Sequence, residues 1–103
     1  MNLIEERFIG KMVTSIHYSQ GHMHLVFSKY GMITALYQCS IEFFGGVVPT
    51  LRLFTENPNK LTFVFDGMAI SVLNDPDVDD HPEVLWVQAG KEKQVLRFDD
   101  FGW

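Results

Sequence analysis

The chain has 103 residues, 47 % of them apolar, nine phenylalanines and a formal net charge of −5. Its length predicts one domain over residues 1–103, and its apolar content excludes a disordered chain held open by charge. With Cys39 as the single cysteine an internal disulfide is excluded, and no apolar run approaches the ~20 residues that a membrane-spanning helix needs.

The amino-terminal stretch MNLIEERFIG places two acids and an arginine where a signal peptide carries a basic and then an apolar segment. A cytoplasmic location without membrane association is therefore expected, in keeping with the lone thiol. Residues 2–9 read as one helical turn or as an edge strand. Residues 10–37, GKMVTSIHYSQGHMHLVFSKYGMITALY, read as three short alternating strands. With Gln20-Gly21 as a hairpin tip, Ser19 faces His22, Tyr18 faces Met23, His17 faces His24 and Ile16 faces Leu25. Side chains alternate between the faces of a strand. Ile16, Tyr18, Met23, Leu25 and Phe27 then share one face, and Ser15, His17, Ser19, His22 and His24 share the other.

Residues 38–44, QCSIEFF, read as a crossover strand or a short helix, and Gly45-Gly46 breaks the chain after them. Residues 45–73 repeat the first pattern. Ile16-His17-Tyr18 falls on Leu51-Arg52-Leu53, Met23 to Phe27 on Leu61 to Phe65, and Gly31-Met32 on Gly67-Met68. A three-residue connection, Asn57-Pro58-Asn59, would set Leu53 opposite Phe63 and Leu51 opposite Phe65, with Phe54 outside the core face. Asp66-Gly67 is a tight turn into a third strand, Met68 to Leu73. Asn74 to Pro82, NDPDVDDHP, is a loop, since its prolines and aspartates resist both helix and sheet. Val84 to Gln88 and Val95 to Phe98 form a last hairpin around Ala89-Gly90-Lys91-Glu92, with Trp86 in the core. The fold class is mainly β: a small barrel or twisted β-sandwich made from a duplicated three-strand meander plus a carboxy-terminal hairpin.

Charge is distributed unevenly. Residues 1–73 carry five acids and five bases, whereas residues 74–103 carry eight acids and three bases. Such a surface repels phosphate, so nucleic acid is not an expected partner. A basic protein is one, because opposite fields speed encounter and set register. On this distribution Asp75, Asp77, Asp79, Asp80 and Glu83 are the candidate electrostatic surface, with Asp99 and Asp100 on its rim. Phe101 and Trp103 are candidate aromatic anchors, although Trp103 reads equally as a plug over the end of the fold.

Other chemistry has weaker support. His17, His22 and His24 on one hairpin face offer three imidazoles to a metal or small molecule, but no acid lies in that hairpin to support them. The aspartates from Asp75 alternate as in a calcium loop, yet the sixth and twelfth loop positions, which need glycine and glutamate, hold Asp80 and Trp86. Cys39 has no glycine elbow or helix start beside it, and none of the common nucleophile or phosphate-loop motifs occurs. No enzyme activity, metal or cofactor is expected.

Several segments together carry a resemblance: the opening Ile9-Gly10-Lys11-Met12-Val13-Thr14, the strand Leu25-Val26-Phe27, Leu61-Thr62-Phe63-Val64-Phe65-Asp66-Gly67, and the acidic segment ending in His81-Pro82-Glu83. In this order the chain resembles the small, acidic, β-rich bacterial immunity proteins encoded beside secreted toxins, as in contact-dependent growth inhibition. The resemblance extends over nearly the whole chain as pattern rather than identity. It implies a stoichiometric inhibitor of a cognate toxin domain, a nuclease with a basic substrate groove. Exposed strand edges leave a monomer or a weak homodimer open.

Overall fold

Alternation of apolar and polar residues sets most of the strands. The computed structural model describes residues 2–19, 21–36, 39–43, 45, 50–57, 60–73 and 83–97. Nine strands form among them: β1 (Ser15–Ser19), β2 (His22–Val26), β3 (Met32–Ala35), β4 (Cys39–Phe43), β5 (Leu51–Asn57), β6 (Lys60–Phe65), β7 (Met68–Leu73), β8 (Glu83–Ala89) and β9 (Glu92–Arg97). A five-residue π-helical turn, Ile4–Phe8, precedes them, and a 3₁₀ turn, Ser28–Tyr30, separates β2 from β3. No helix among the described residues is long and apolar enough to cross a membrane.

The strands make two open sheets, β1-β2-β3-β8-β9 and β4-β7-β6-β5, with antiparallel neighbours throughout. Of the two expected architectures, the structure is therefore the sandwich. Each of the similar segments forms a meander, β1-β2-β3 and β5-β6-β7. Each meander takes one further strand against its third member, β8 beside β3 and β4 beside β7. Residues 39–43, left open between strand and helix on sequence, are strand β4.

The core lies between the sheets. Leu25, Phe27, Ile33, Leu85 and Val87 from one meet Leu51, Leu61, Phe63, Ile70 and Val72 from the other, all buried. Burying one such side chain contributes ~1.5–3 kcal/mol, so this seam supplies most of the folding drive. The helical turn seals one side. Ile4 and Phe8 are fully buried, with the Phe8 and Phe27 rings 4.8 Å apart. The Leu3 N–H donates to Gln94 Oε1 on β9 (2.8 Å), Arg7 pairs with Glu92 on β9, and the turn packs along β5.

The turn thus touches both β5 and β9. Residues 10–14 then lead to β1, with Met12 bridging Thr50 and the Thr14 N–H donating to the Val26 carbonyl of β2. The predicted hairpin register is observed pair for pair, from Ile16 with Leu25 to Ser19 with His22. Met23 and Leu25 are buried as their phase requires, but Tyr18, on the same face of the edge strand β1, is 64 % exposed.

The second hairpin differs from expectation. Asn57 pairs with Lys60, so two residues, not three, separate the strands, and Phe54 rather than Leu53 stands opposite Phe63. Phe54 is buried with its ring 4.9 Å from that of Phe63, while Leu53 is 52 % exposed. A bulge between Leu51 and Leu53 then restores Leu51 opposite Phe65. Arg52, at the bulge, forks onto Asp66 through Nε and Nη2 at 2.7–3.0 Å. That hydrogen bond holds the Asp66 carboxyl below its usual range. A second bulge, between Glu83 and Leu85, buries both Val84 and Leu85 and turns Trp86 outward, against the expectation of a core tryptophan.

Glycine matters most at Gly31. Its φ is +139°, and a Cβ there would collide with the Gln88 carbonyl of β8, so the β2–β3 connection can pass β8 only without a side chain.

The register correction is directly testable. Phe54→Ala should cost ~3 kcal/mol or more in urea unfolding, and Leu53→Ala should stay within ~0.5 kcal/mol of the parent. The reverse order would restore the three-residue connection.

Candidate interaction surface

The hairpin of β8 and β9 brings together the two strand ends from which the acidic segments of the sequence continue. Glu83, the first residue of β8, stands opposite Arg97, the last of β9, with Oε1 and Nη2 3.9 Å apart. Residues 74–82 lead into Glu83 and residues 98–103 continue from Arg97, so both acidic segments attach to neighbouring strand ends. Glu83 is engaged on its other oxygen as well, where Oε2 accepts the Trp86 Nε1–H (3.0 Å). It is thus the partner of an indole and a guanidinium, not a bare carboxylate. The expected surface residues Asp75, Asp77, Asp79, Asp80, Asp99, Asp100, Phe101 and Trp103 lie outside the described residues.

Trp86 is the site residue that sequence reasoning misplaced. It stands 45 % exposed on the outer face of the five-stranded sheet, in a cross-strand row His17, His24, Thr34, Trp86 and Val95. Val95 beside it is 46 % exposed. Met32, Thr34, Trp86, Gln88, Lys93 and Val95 border a groove of about 260 Å³ on this face. The signal for the outward tryptophan lay in β9, where Lys93, Val95 and Arg97 alternate with Gln94 and Leu96. That phase makes Val95, and hence its partner Trp86, face solvent.

Histidines continue the face. The His17 and His24 rings stack 5.0 Å apart, His24 Nδ1 lies 3.1 Å from Thr34 Oγ1, and the His22 ring meets Trp86 edge-on at 6.1 Å. His22 is drawn towards the tryptophan while the other two stack on each other. No group of three His, Cys, Asp or Glu among the described residues can hold a metal ion. Desolvation, then the neighbouring His17 and His22, holds the His24 pKa below its ordinary 6.5. Cys39, partly buried, has its thiol pushed up to about 11 by burial, which leaves almost no thiolate at neutral pH.

Positive charge collects at the opposite end. Ala89 and Gly90, six and seven residues on from Glu83, help line a hollow of about 390 Å³ with Glu6, Arg7, Lys11, Lys29 and Tyr30. At ~3.4 Å per residue of strand, that hollow lies roughly 20 Å from the acidic end. Lys11 Nζ stands 4.5 Å and Lys29 Nζ 5.6 Å from the Tyr30 ring centroid.

No family model, curated protein or solved structure matches the chain.

The stacked histidines give a pH signature. An unfolded chain takes up a proton at His24 near pH 6.5 and the folded chain only at lower pH. The stability His24 contributes is present above pH 6.5 and is lost as pH falls from there through the folded-state value. NMR titration should find His24 below 6.5, and His17→Ala should move it upward.

Proposed function

We propose that the protein is an immunity protein that binds and neutralises a cognate toxin domain, a nuclease with a basic groove. The supporting observation is the adjacency of Glu83 and Arg97, which joins both acidic segments to one end of the sandwich, with the exposed Trp86 three residues along β8. Carboxylates carried on the two segments that continue from these strand ends would offer a basic groove the charge pattern of a phosphate backbone, and opposite fields raise the encounter rate. An exposed tryptophan at the border supplies contact area at small entropic cost and slows dissociation. The acidic end is the electrostatic part of this surface, and Trp86 takes the anchoring role beside the earlier candidates Phe101 and Trp103.

The partner to test is the carboxy-terminal domain of any secreted protein encoded immediately upstream of the gene. Co-expression of the chain should restore growth to cells making that domain. Reversing Asp75, Asp77, Asp79 and Asp80 to lysine should slow association about tenfold or more at low salt, and added salt should slow the parent in the same way. Trp86→Ala should instead act on dissociation, by roughly thirtyfold if it is a central anchor. Tight binding whose rates ignored both salt and the reversals would refute electrostatic docking.

A further inference from the structure

Four segments of chain converge on the hollow beside Ala89 and Gly90. The π-helical turn brings Glu6 and Arg7, the residues after it bring Lys11, the 3₁₀ turn brings Lys29 and Tyr30, and the end of β8 brings Ala89. They border about 390 Å³, a volume within the range of small-molecule sites.

The positive charge of this hollow is only partly matched. Arg7 pairs with Glu92. Among the described residues Lys11 and Lys29 make no ion pair; both ammonium groups stand instead by the Tyr30 ring, 4.5 Å and 5.6 Å from its centroid. Two like charges gathered at one exposed ring repel each other, and an anion in contact with both relieves that repulsion. Residues 46–49, which lead to Thr50 and Leu51 beside Lys11, are Gly-Val-Val-Pro and carry no acid.

The backbone fixes where these side chains start. The Lys11 N–H donates to the Phe8 carbonyl (3.0 Å), and the Lys11 carbonyl accepts the Leu51 N–H (2.9 Å). The Phe27 N–H donates to the Gly31 carbonyl (2.8 Å) and the Tyr30 N–H to the Phe27 carbonyl (3.1 Å), which closes the turn that carries Lys29. Gly31 presses that turn against the Gln88 carbonyl of β8. Ser28, which opens the turn, has a φ of +54°, and no other non-glycine among the described residues has a positive φ. Its N–H is held by Thr14 Oγ1 at 3.1 Å. A side-chain-bearing residue keeps so unfavourable a backbone only where its surroundings over-determine it, and such residues cluster at ligand clamps. Ordering done in advance lowers the cost of binding.

We propose that this hollow binds a small phosphate monoester that carries an amine. Lys11 and Lys29 supply point charges to the dianionic phosphate, a role to which lysine is suited. Tyr30, 40 % exposed, adds a phenolic donor. Glu6 on the same wall takes the ammonium group. That carboxylate, together with the small volume, disfavours an extended nucleic acid backbone. Glu83 lies roughly 20 Å off along the strand, more than twice the ~8 Å screening length at physiological salt, so its charge opposes such a ligand little.

Binding here is independent of toxin docking and is tested without a toxin. Phosphoethanolamine, followed by amide NMR of the purified chain, should shift Lys11, Lys29, Tyr30 and Gly90 and reach saturation. It should bind several-fold more tightly than inorganic phosphate, and Glu6→Gln should erase that preference. Lys11→Gln and Lys29→Gln should each weaken binding about tenfold, with the amide spectrum away from the hollow unchanged. Lys60→Gln, outside the hollow, should leave the affinity as it is. Shifts that never saturate, shifts as large at Lys60 and Lys93 (an adventitious ion only), an affinity indifferent to both lysine replacements, or equal binding of the two probes by the parent would overturn the proposal.

Discussion

The apolar seam between the two sheets governs everything else in this protein. Phe27, Ile33 and Leu85 on one side and Leu61, Phe63 and Ile70 on the other leave water only if the strands hold their phase. Phase is kept even where the chain has a residue too many. The bulges at Arg52 and Val84 each absorb one residue so that the next inward side chain still reaches the seam. Both bulges also re-aim side chains. One presents Arg52 to Asp66, and the other turns Trp86 out of the fold and onto Glu83. The proposed interaction surface is in this sense a by-product of how the core is kept closed.

The helical turn closes part of the seam. Ile4 and Phe8 are fully buried there, and backbone and side-chain bonds from Leu3 and Arg7 to β9 fasten the turn in place. At the sheet edges β1 and β4 apolar side chains stay in solvent, Tyr18 at 64 % and Ile41 at 37 % exposure. Each exposed aromatic forgoes burial worth ~1.5–3 kcal/mol.

Much of this was legible before the fold was known. The first hairpin could be registered residue by residue because Ile16, Tyr18, Met23 and Leu25 alternate cleanly with Ser15, His17, His22 and His24, and Gly21 marks the tip. The second hairpin was misread at one point, the length of its connection. Both Leu53 and Phe54 are apolar, so the pattern could not say which faced inward. The run Val84-Leu85-Trp86-Val87 hid a bulge for the same reason: a stretch without polar residues carries no phase. The charge imbalance was legible, but the hydrogen bond from Trp86 to Glu83 and the facing of Glu83 by Arg97 were not, since they join residues through strand geometry and not through composition.

Alternating hydrophobicity and turn chemistry by themselves determined that this chain is mainly β, that it contains two three-strand meanders and a final hairpin, and that its negative charge is concentrated after residue 73. Those properties are local, each settled by a few neighbouring residues and their side-chain period. The tertiary structure alone decided the order of strands in each sheet, which strands stand at the edges, and that Glu83 and Arg97 face each other at adjoining strand ends while Lys11 and Lys29 sit at the far end. Such facts depend on how two sheets of unequal width stack, and long-range packing of that kind leaves no periodic trace in the chain.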